Sequence, residues 1–404
     1  MGKTTSEPLI SKLTKLQLME LDICTRCGAC AEWCPVTTTV QDYATTPGNK
    51  IRILKKFVKA SLGLRAKIFG PRALDENELK LFADVLYKCT TCGRCGTVCP
   101  FGIRCHEIWP NVRAWMLELG IGPIDKIKAA GDILEAKHNP FDLPYEDRNK
   151  WIPKDVEIAK KADLAFFVGC ELAYRAKPMA QGAVKMLQAA NIPFTIFDDE
   201  WCCGFPPYIL GNRGKEFKAE IEHNVEGLKA MGVKEVAPYC PCCYNIMKYV
   251  WPEYIDMPFK IVHILDVIAE AAKNGKLKFA KSFNGKVTYH DPCYLSRGWG
   301  AGENIIEQPR IIIKSIPEIK LVEMEHYGKL SLCPGSGGGL RRTNLDLSHN
   351  MSIPVLKEAE ATGSEILLTA CPAVYERFKM TVEQGIYKPK VKVMDILEFT
   401  SQFV

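Results

Sequence analysis

Eight cysteines fall in two runs of one spacing, CxxCxxCxxxCP: Cys24, Cys27, Cys30 and Cys34 before Pro35, then Cys89, Cys92, Cys95 and Cys99 before Pro100. Three thiolates at this spacing wrap one face of an iron–sulfur cube, and in two-cluster ferredoxins the fourth cysteine of each run ligates the other cube. The expected sets are Cys24, Cys27, Cys30 and Cys99 for one cubane 4Fe-4S cluster, and Cys89, Cys92, Cys95 and Cys34 for the other. Zinc ribbons repeat CxxC pairs and do not account for the longer run. Cys105 lies outside the pattern and reads as a buried thiol.

A second constellation consists of Cys170, the adjacent Cys202 and Cys203 before Gly204, and Cys240 with Cys243. Five thiolates exceed what a cube or a zinc ion takes. An adjacent pair does not easily present both sulfurs to two corners of one cube, but it could serve the irons of an opened, non-cubane cluster. Zinc at Cys240 and Cys243 with two of the others is the competing occupant. Gly204 would allow the backbone close to the inorganic core, and Cys242 is an extra thiol beside these ligands.

A thinner third set holds Cys293, within His290-Asp291-Pro292-Cys293, together with Cys333 and Cys371. Pro334 and Val374 stand where further cysteines would belong, so the favoured reading is a lobe without a cluster. Weak ligation by the three thiols, helped by His290 or His326, is the alternative. The Gly335 to Gly339 run lacks GxGxxG spacing and reads as a tight cradle, not a phosphate loop. Candidate acids are His223 and His290, since imidazole titrates near neutrality.

These residues need elements to hold them. The first 125 residues read as a helical ferredoxin-like domain, its two cysteine runs separated by an amphipathic stretch. Residues 126–160, dotted with Pro140, Pro144 and Pro153, read as a linker over the surface. Beyond it, short apolar runs at 164–168, 194–197, 235–239, 261–265, 287–289, 321–324 and 366–369 alternate with helical patterns, which argues α/β layering. Runs before Cys170 and Cys293 each end a strand at a cysteine, so an internal duplication is predicted, with one cysteine-rich domain over 161–282 and another over 283–404. The fold class is α+β multidomain: a helical two-cluster module followed by two duplicated α/β domains.

Composition narrows the function. With 18 cysteines among 404 residues and 47% apolar content, the chain is too core-rich for a small disulfide scaffold, and metal ligation is the economical use of the thiols. No apolar stretch reaches membrane-spanning length and no signal sequence is evident, so a cytoplasmic protein is expected. The net charge of +6 is spread along the chain and gives no reason to expect nucleic acid. Lys50 to Arg72 contains Lys55, Lys56, Lys59, Arg65 and Lys67 but no acid, with Ile51, Leu54, Val58 and Leu62 at helical spacing. It reads as a solvated helix face or as a docking face for an acidic partner or anionic membrane. Met1-Gly2 with Ser6 matches a myristoylation pattern too short to carry weight.

The stretches LQLMELDICTRCGACAEWCP, KCTTCGRCGTVCP, DEWCCG, CPCCYN and VTYHDPC together resemble the catalytic D-type subunit of heterodisulfide reductase and its relatives, including the K-type subunit of the dissimilatory sulfite reduction complex. The resemblance covers nearly the whole chain. It implies cysteine-rich (CCG) domains, a non-cubane 4Fe-4S cluster on Cys170, Cys202, Cys203, Cys240 and Cys243 where a disulfide is split, and a membrane cytochrome b partner feeding electrons through the cubanes. On this reading the chain is the iron–sulfur catalytic subunit of a disulfide or trisulfide reductase, peripheral on the inner face of the cytoplasmic membrane. Its substrate would be a small-molecule disulfide or one carried on a small protein. The rival reading is an electron-transfer subunit without its own substrate, linking a quinone-side cytochrome to a dehydrogenase.

Overall fold

The computed structural model describes residues 7–300 and 304–404, so the Met1-Gly2 and Ser6 pattern lies outside the described residues. The chain forms two compact units. One comprises the residues up to Ala129 with Pro206–Arg213 and Gly335–Met351; the other comprises Ala130–Phe205, Gly214–Pro334 and Ser352–Val404.

The first unit is helical. Helix Lys15–Ile23 starts at a reciprocal cap between Thr14 and Gln17 and delivers the chain to Cys24. Helix Pro47–Leu62 begins at Thr46, whose hydroxyl accepts from the Asn49 amide, with Pro47 in the first turn, where its missing N–H costs nothing. Its buried face is Ile51, Leu54, Phe57 and Ala60, while Leu62 is exposed. Phe57 packs edge-on against Phe82 of helix Glu76–Tyr87 and against Trp115 of helix Cys105–Glu118.

The second unit contains two four-stranded parallel sheets of one topology. The strands are β1 Leu164–Phe167, β2 Phe194–Thr195, β3 Glu235–Pro238 and β4 Lys260–Ile261 in the order β2-β1-β3-β4, then β5 Lys286–His290, β6 Lys320–Leu321, β7 Ile366–Thr369 and β8 Lys392–Asp395 in the order β6-β5-β7-β8. All four residues of β1 and of β7 are buried, as expected of parallel strands covered on both faces. The repeated order matches the predicted duplication. In a sheet of this order the crevice forms at the carboxyl ends of β1 and β3, where the connections diverge.

Three expectations need correction. The apolar run 261–265 is not one strand: β4 stops at Ile261, and His263 caps helix Ile264–Lys273 by accepting from the Leu265 amide. Strand β8 has no counterpart among the apolar runs because Lys392 and the partly exposed Val393 dilute its signal at the sheet edge. The stretch expected to be a linker is largely structured: Ile124–Lys137 is a helix burying Ile127 and Leu134, and Asn139, Arg148 and Trp151 are buried after it. Its prolines begin only at Pro140, so nothing opposes helix before that point.

The boundaries also differ from a linear division. Both sheets lie in one unit, and helices Lys177–Ala189 and Ile396–Thr400 approach so closely that a Cβ on Gly182 would meet the Leu397 carbonyl at 2.5 Å. Tyr239, after β3, donates a hydrogen bond to Asp395 of β8. Two short segments join the first unit instead, Pro206–Arg213 after Cys203 and Gly335–Met351 after Cys333.

Candidate functional site

The second constellation converges where the topology predicts. Cys170 follows β1, Cys240 and Cys243 follow β3, and Cys202 and Cys203 follow β2; all five are buried. Their thiols form a hydrogen-bonded chain: Cys170 with Cys202, Cys202 with Cys203, Cys203 with Cys243, and Cys243 with Cys240. Burial works against ionisation of Cys203, yet hydrogen bonds from Cys202 and Cys243 outweigh it and bring that thiol down to about 6. Hydrogen bonds from Cys242 and Cys243 hold Cys240 well below the usual thiol range. Cys170 is pushed up by its hydrogen bond to Cys202 and by burial.

One buried cation stands beside the thiols. Arg148, buried, donates to Cys170 Sγ at 3.7 Å and pairs with the buried Glu200 carboxylate. Glu200 in turn accepts from the Val168 and Gly169 amides at 2.8 Å each, fixing the turn between β1 and Cys170. A Cβ on Gly169, where φ is +74°, would stand 3.1 Å from Cys243 Sγ, so this glycine lets backbone reach the thiols. The sequence assigns that role to Gly204, and its amide does reach a thiol, donating to Cys202 Sγ at 3.5 Å, while its φ of +82° and the Phe217 ring, 2.7 Å from where a Cβ would stand, add a packing reason for glycine there. On the other side, Leu134, Phe141 and Tyr174 pack against Cys170 and Cys202.

His138 is a residue that the sequence pattern does not single out. Its carbonyl accepts from the Cys202 amide at 3.0 Å, its Nδ1 lies 3.0 Å from Glu220, and its ring stacks on Trp201, which stacks on His223. His223 Nε2 contacts the Asp199 carbonyl at 2.7 Å. His290 is fully buried with Nε2 on the Leu332 carbonyl at 2.9 Å, and burial lowers its pKa to about 4, which suits a structural group and not an acid at neutral pH.

The third set is partly dismantled. Cys371 and Val374 sit together in an apolar core with Val355, Leu356 and Phe378. Cys333 is buried and Cys293 partly exposed. Cys371 and Cys293 lie near enough to Cys242 to help raise its pKa, after its hydrogen bond to Cys240 and burial. His326 pairs with Glu358 at 2.6 Å.

In the first unit, one cavity is lined by Cys24, Cys27, Cys30 and Cys99, with Cys95 and Cys105 at its wall, and another by Cys34, Cys89, Cys92 and Cys95. The exchange of fourth cysteines between runs fits these linings. Cys105, outside both runs, is a free thiol buried against the first cavity and hydrogen-bonded to Cys95. The second cavity is also lined by Lys50, whose ammonium is fully buried and has no hydrogen-bond partner among the described residues. An orphaned buried cation facing four thiols fits an anionic iron–sulfur group.

Behind the second cavity, buried Arg113 donates to the carbonyls of Leu86, Cys89, Ile209 and Gly338 at 2.6–2.9 Å. Gly338, with φ of +63°, lies so flat on this loop that a Cβ would meet the Cys89 carbonyl at 2.3 Å. The glycine run is thus a cradle for the Cys89 loop.

Residues 20–103 match the 4Fe-4S dicluster domain family, and residues 164–248 and 287–373 each match the cysteine-rich domain family. The D-type subunit of the dihydromethanophenazine:CoB–CoM heterodisulfide reductase of Methanosarcina acetivorans is 36% identical over 408 residues, covering 100% of this chain and 98% of that protein. The chain belongs to the family of heterodisulfide reductase D-type subunits. It is an iron–sulfur oxidoreductase-type subunit with 4Fe-4S clusters and an electron-transfer role. The B-type subunit of the fumarate reductase (CoM/CoB) of Methanothermobacter marburgensis is 27% identical, covering 93% of this chain and 71% of that one. Among solved structures, a hypothetical protein from Helicobacter pylori has a TM-score of 0.57 at 12% identity, covering 98% of this chain and 75% of that one, a likeness of fold alone. Among the described residues, no helix is long and apolar enough to cross a membrane.

Proposed function

We propose that this member of the heterodisulfide reductase family is the catalytic iron–sulfur subunit of a disulfide or trisulfide reductase. The observation that carries the reading is the convergence of five buried thiols with the Arg148 guanidinium at the carboxyl ends of β1 and β3. Cys24, Cys27, Cys30 and Cys99 would hold one cubane cluster and Cys89, Cys92, Cys95 and Cys34 the other. Cys170, Cys202, Cys203, Cys240 and Cys243 would hold a non-cubane cluster, whose chemistry is to accept sulfur and single electrons.

Reductive cleavage of a disulfide takes two electrons and two protons and yields two thiols. The chain's own contribution is charge and protons: Arg148 offsets thiolate charge, and the His138–Glu220 pair beside Cys202 is the nearby proton relay. The proposed partners are a membrane cytochrome b as electron source and a disulfide as substrate, with the chain peripheral on the inner face of the cytoplasmic membrane. Disulfide reduction driven by reduced methyl viologen tests the reading: activity lost in Cys203→Ser supports it, and activity unaffected by that change overturns it. Burial of all five thiols favours the second reading, a relay without its own substrate. A relay would show no thiol-dependent spectral change in the isolated chain.

A further inference from the structure

The two cavities of the first unit differ in access. Cys27 is exposed and Cys24, Cys30 and Cys99 are partly exposed, whereas Cys34 and Cys92 of the other set are buried. Cys24, Thr25, Arg26 and Arg52 line the first cavity and also an adjoining groove of about 570 Å³. The groove is otherwise walled by helix Pro47–Leu62, by the short helix Leu64–Phe69 and by Arg72 after it, and cations dominate it: Arg26, Arg52, Lys59, Arg65 and Arg72, with Lys55 and Lys56.

Counter-ions are few. Lys55 approaches Asp22 at 3.4 Å and Lys56 pairs with Glu78 at 2.7 Å, but Arg26, Lys59, Arg65 and Arg72 have no acidic partner among the described residues. Exposed apolar side chains flank the thiols themselves: Ile23 precedes Cys24, and Tyr43 and Phe101 line the cavity mouth. An apolar centre with a charged rim is the make-up of a transient protein interface.

We infer that this groove is the electron-entry port, the docking site for an acidic surface of an electron-carrying protein that presents its redox centre at the Cys24–Cys27 edge. The inference rests on the electron-transfer part of the functional reading and not on the cytochrome b assignment; it adds the surface, the order of the two cysteine sets and a soluble acidic protein as the carrier. Each productive encounter oxidises the carrier by one electron and reduces the chain by one, with no bond made or broken. A concave groove suits protruding carboxylates better than it suits the plane of a bilayer, although Leu64, Ile68 and Phe69 are exposed nearby. Long-range attraction between such surfaces raises association rates roughly 10- to 1,000-fold and fades with salt.

The test uses the full chain and, as probe, a small acidic two-cluster ferredoxin. The wild type should bind it at low ionic strength with steep salt dependence. In Lys59→Glu/Arg65→Glu/Arg72→Glu the dissociation constant should rise at least about tenfold and the salt dependence flatten, while reduction by methyl viologen stays as in wild type. The neutralised triple glutamine variant should fall between the two, which keeps the test valid should the charge-reversed chain fold poorly. No binding by wild type, or equal binding by all three proteins, overturns the inference. So does loss of binding to phosphatidylglycerol vesicles with ferredoxin binding unchanged, which would make the groove a lipid site. Viologen-driven disulfide reduction bypasses the port, so its absence would count against the proposed reaction and leave the docking result standing.

Discussion

The two lobes of the second unit share a strand order and part company at the carboxyl ends of their central strands. At β1 and β3, five thiols meet a guanidinium whose own carboxylate partner is anchored to the turn before Cys170. At β5 and β7, Arg310 is spent on two carboxylates, bonding Asp291 at 2.8 and 2.9 Å and Glu323 at 2.7 and 2.8 Å. There Cys371 is absorbed with Val374 into an apolar core. A duplicated fold therefore gathers five thiols beside a guanidinium in one copy, while in the other the arginine is matched by carboxylates and Cys371, though still bordering Cys240, packs with Val374. The sheet supplies the crevice, and the side chains around it decide whether it is a site.

The sharpest way to break this contrast is to remove one thiol from each lobe. Cys203→Ser should reduce viologen-driven disulfide turnover to background, and Cys333→Ser should leave it near the wild-type rate. Equal loss in both would mean that the second lobe takes part in the chemistry. The next contrast concerns the arginines. Arg148→Met and Arg310→Met each strand buried carboxylates and should cost about 3–5 kcal/mol in denaturant unfolding, but Arg148→Met alone should alter the spectrum of the thiol site.

The cysteines were legible because ligand spacing is local: two identical runs and one adjacent pair announce themselves without a fold. The strand ends bearing Cys170, Cys240 and Cys293 were legible too, since buried parallel strands are short apolar runs bounded by turns. Arg148 and Glu200 were not, because they stand 52 positions apart and Arg148 sits in a proline-dotted stretch that resembles a linker. Lys50 was visible only as one of a run of cations. Its difference from Lys59, buried against four thiols instead of facing solvent, arises from how helix Pro47–Leu62 packs. The missing cysteines at Pro334 and Val374 were plain, but that Val374 joins a core required the packing itself.

Smaller effects sharpen the comparison further. Burial pushes the Asp395 carboxyl up to about 7, although the Tyr239 hydrogen bond acts the other way. The folded chain therefore keeps this proton to higher pH than the unfolded chain does. Its contribution to stability is fully present below about pH 4 and is lost as the pH rises through about 7. Thermal unfolding should show a shallower decline between about pH 5 and pH 8 in Asp395→Asn than in wild type. Smallest of all, Lys50→Met should lower the reduction potential of the set containing Cys34 and Cys89 and leave the other set unmoved, because it removes a positive charge beside one cavity only.

The contrast between the lobes is tested most directly by the iron, sulfide and zinc content of anaerobically purified chain. About twelve irons and as many sulfides without zinc, falling to about eight in Cys203→Ser, are expected if the first lobe holds a third cluster and the second lobe none. About eight irons with one zinc in the wild type would contradict it and make the first lobe a structural zinc site.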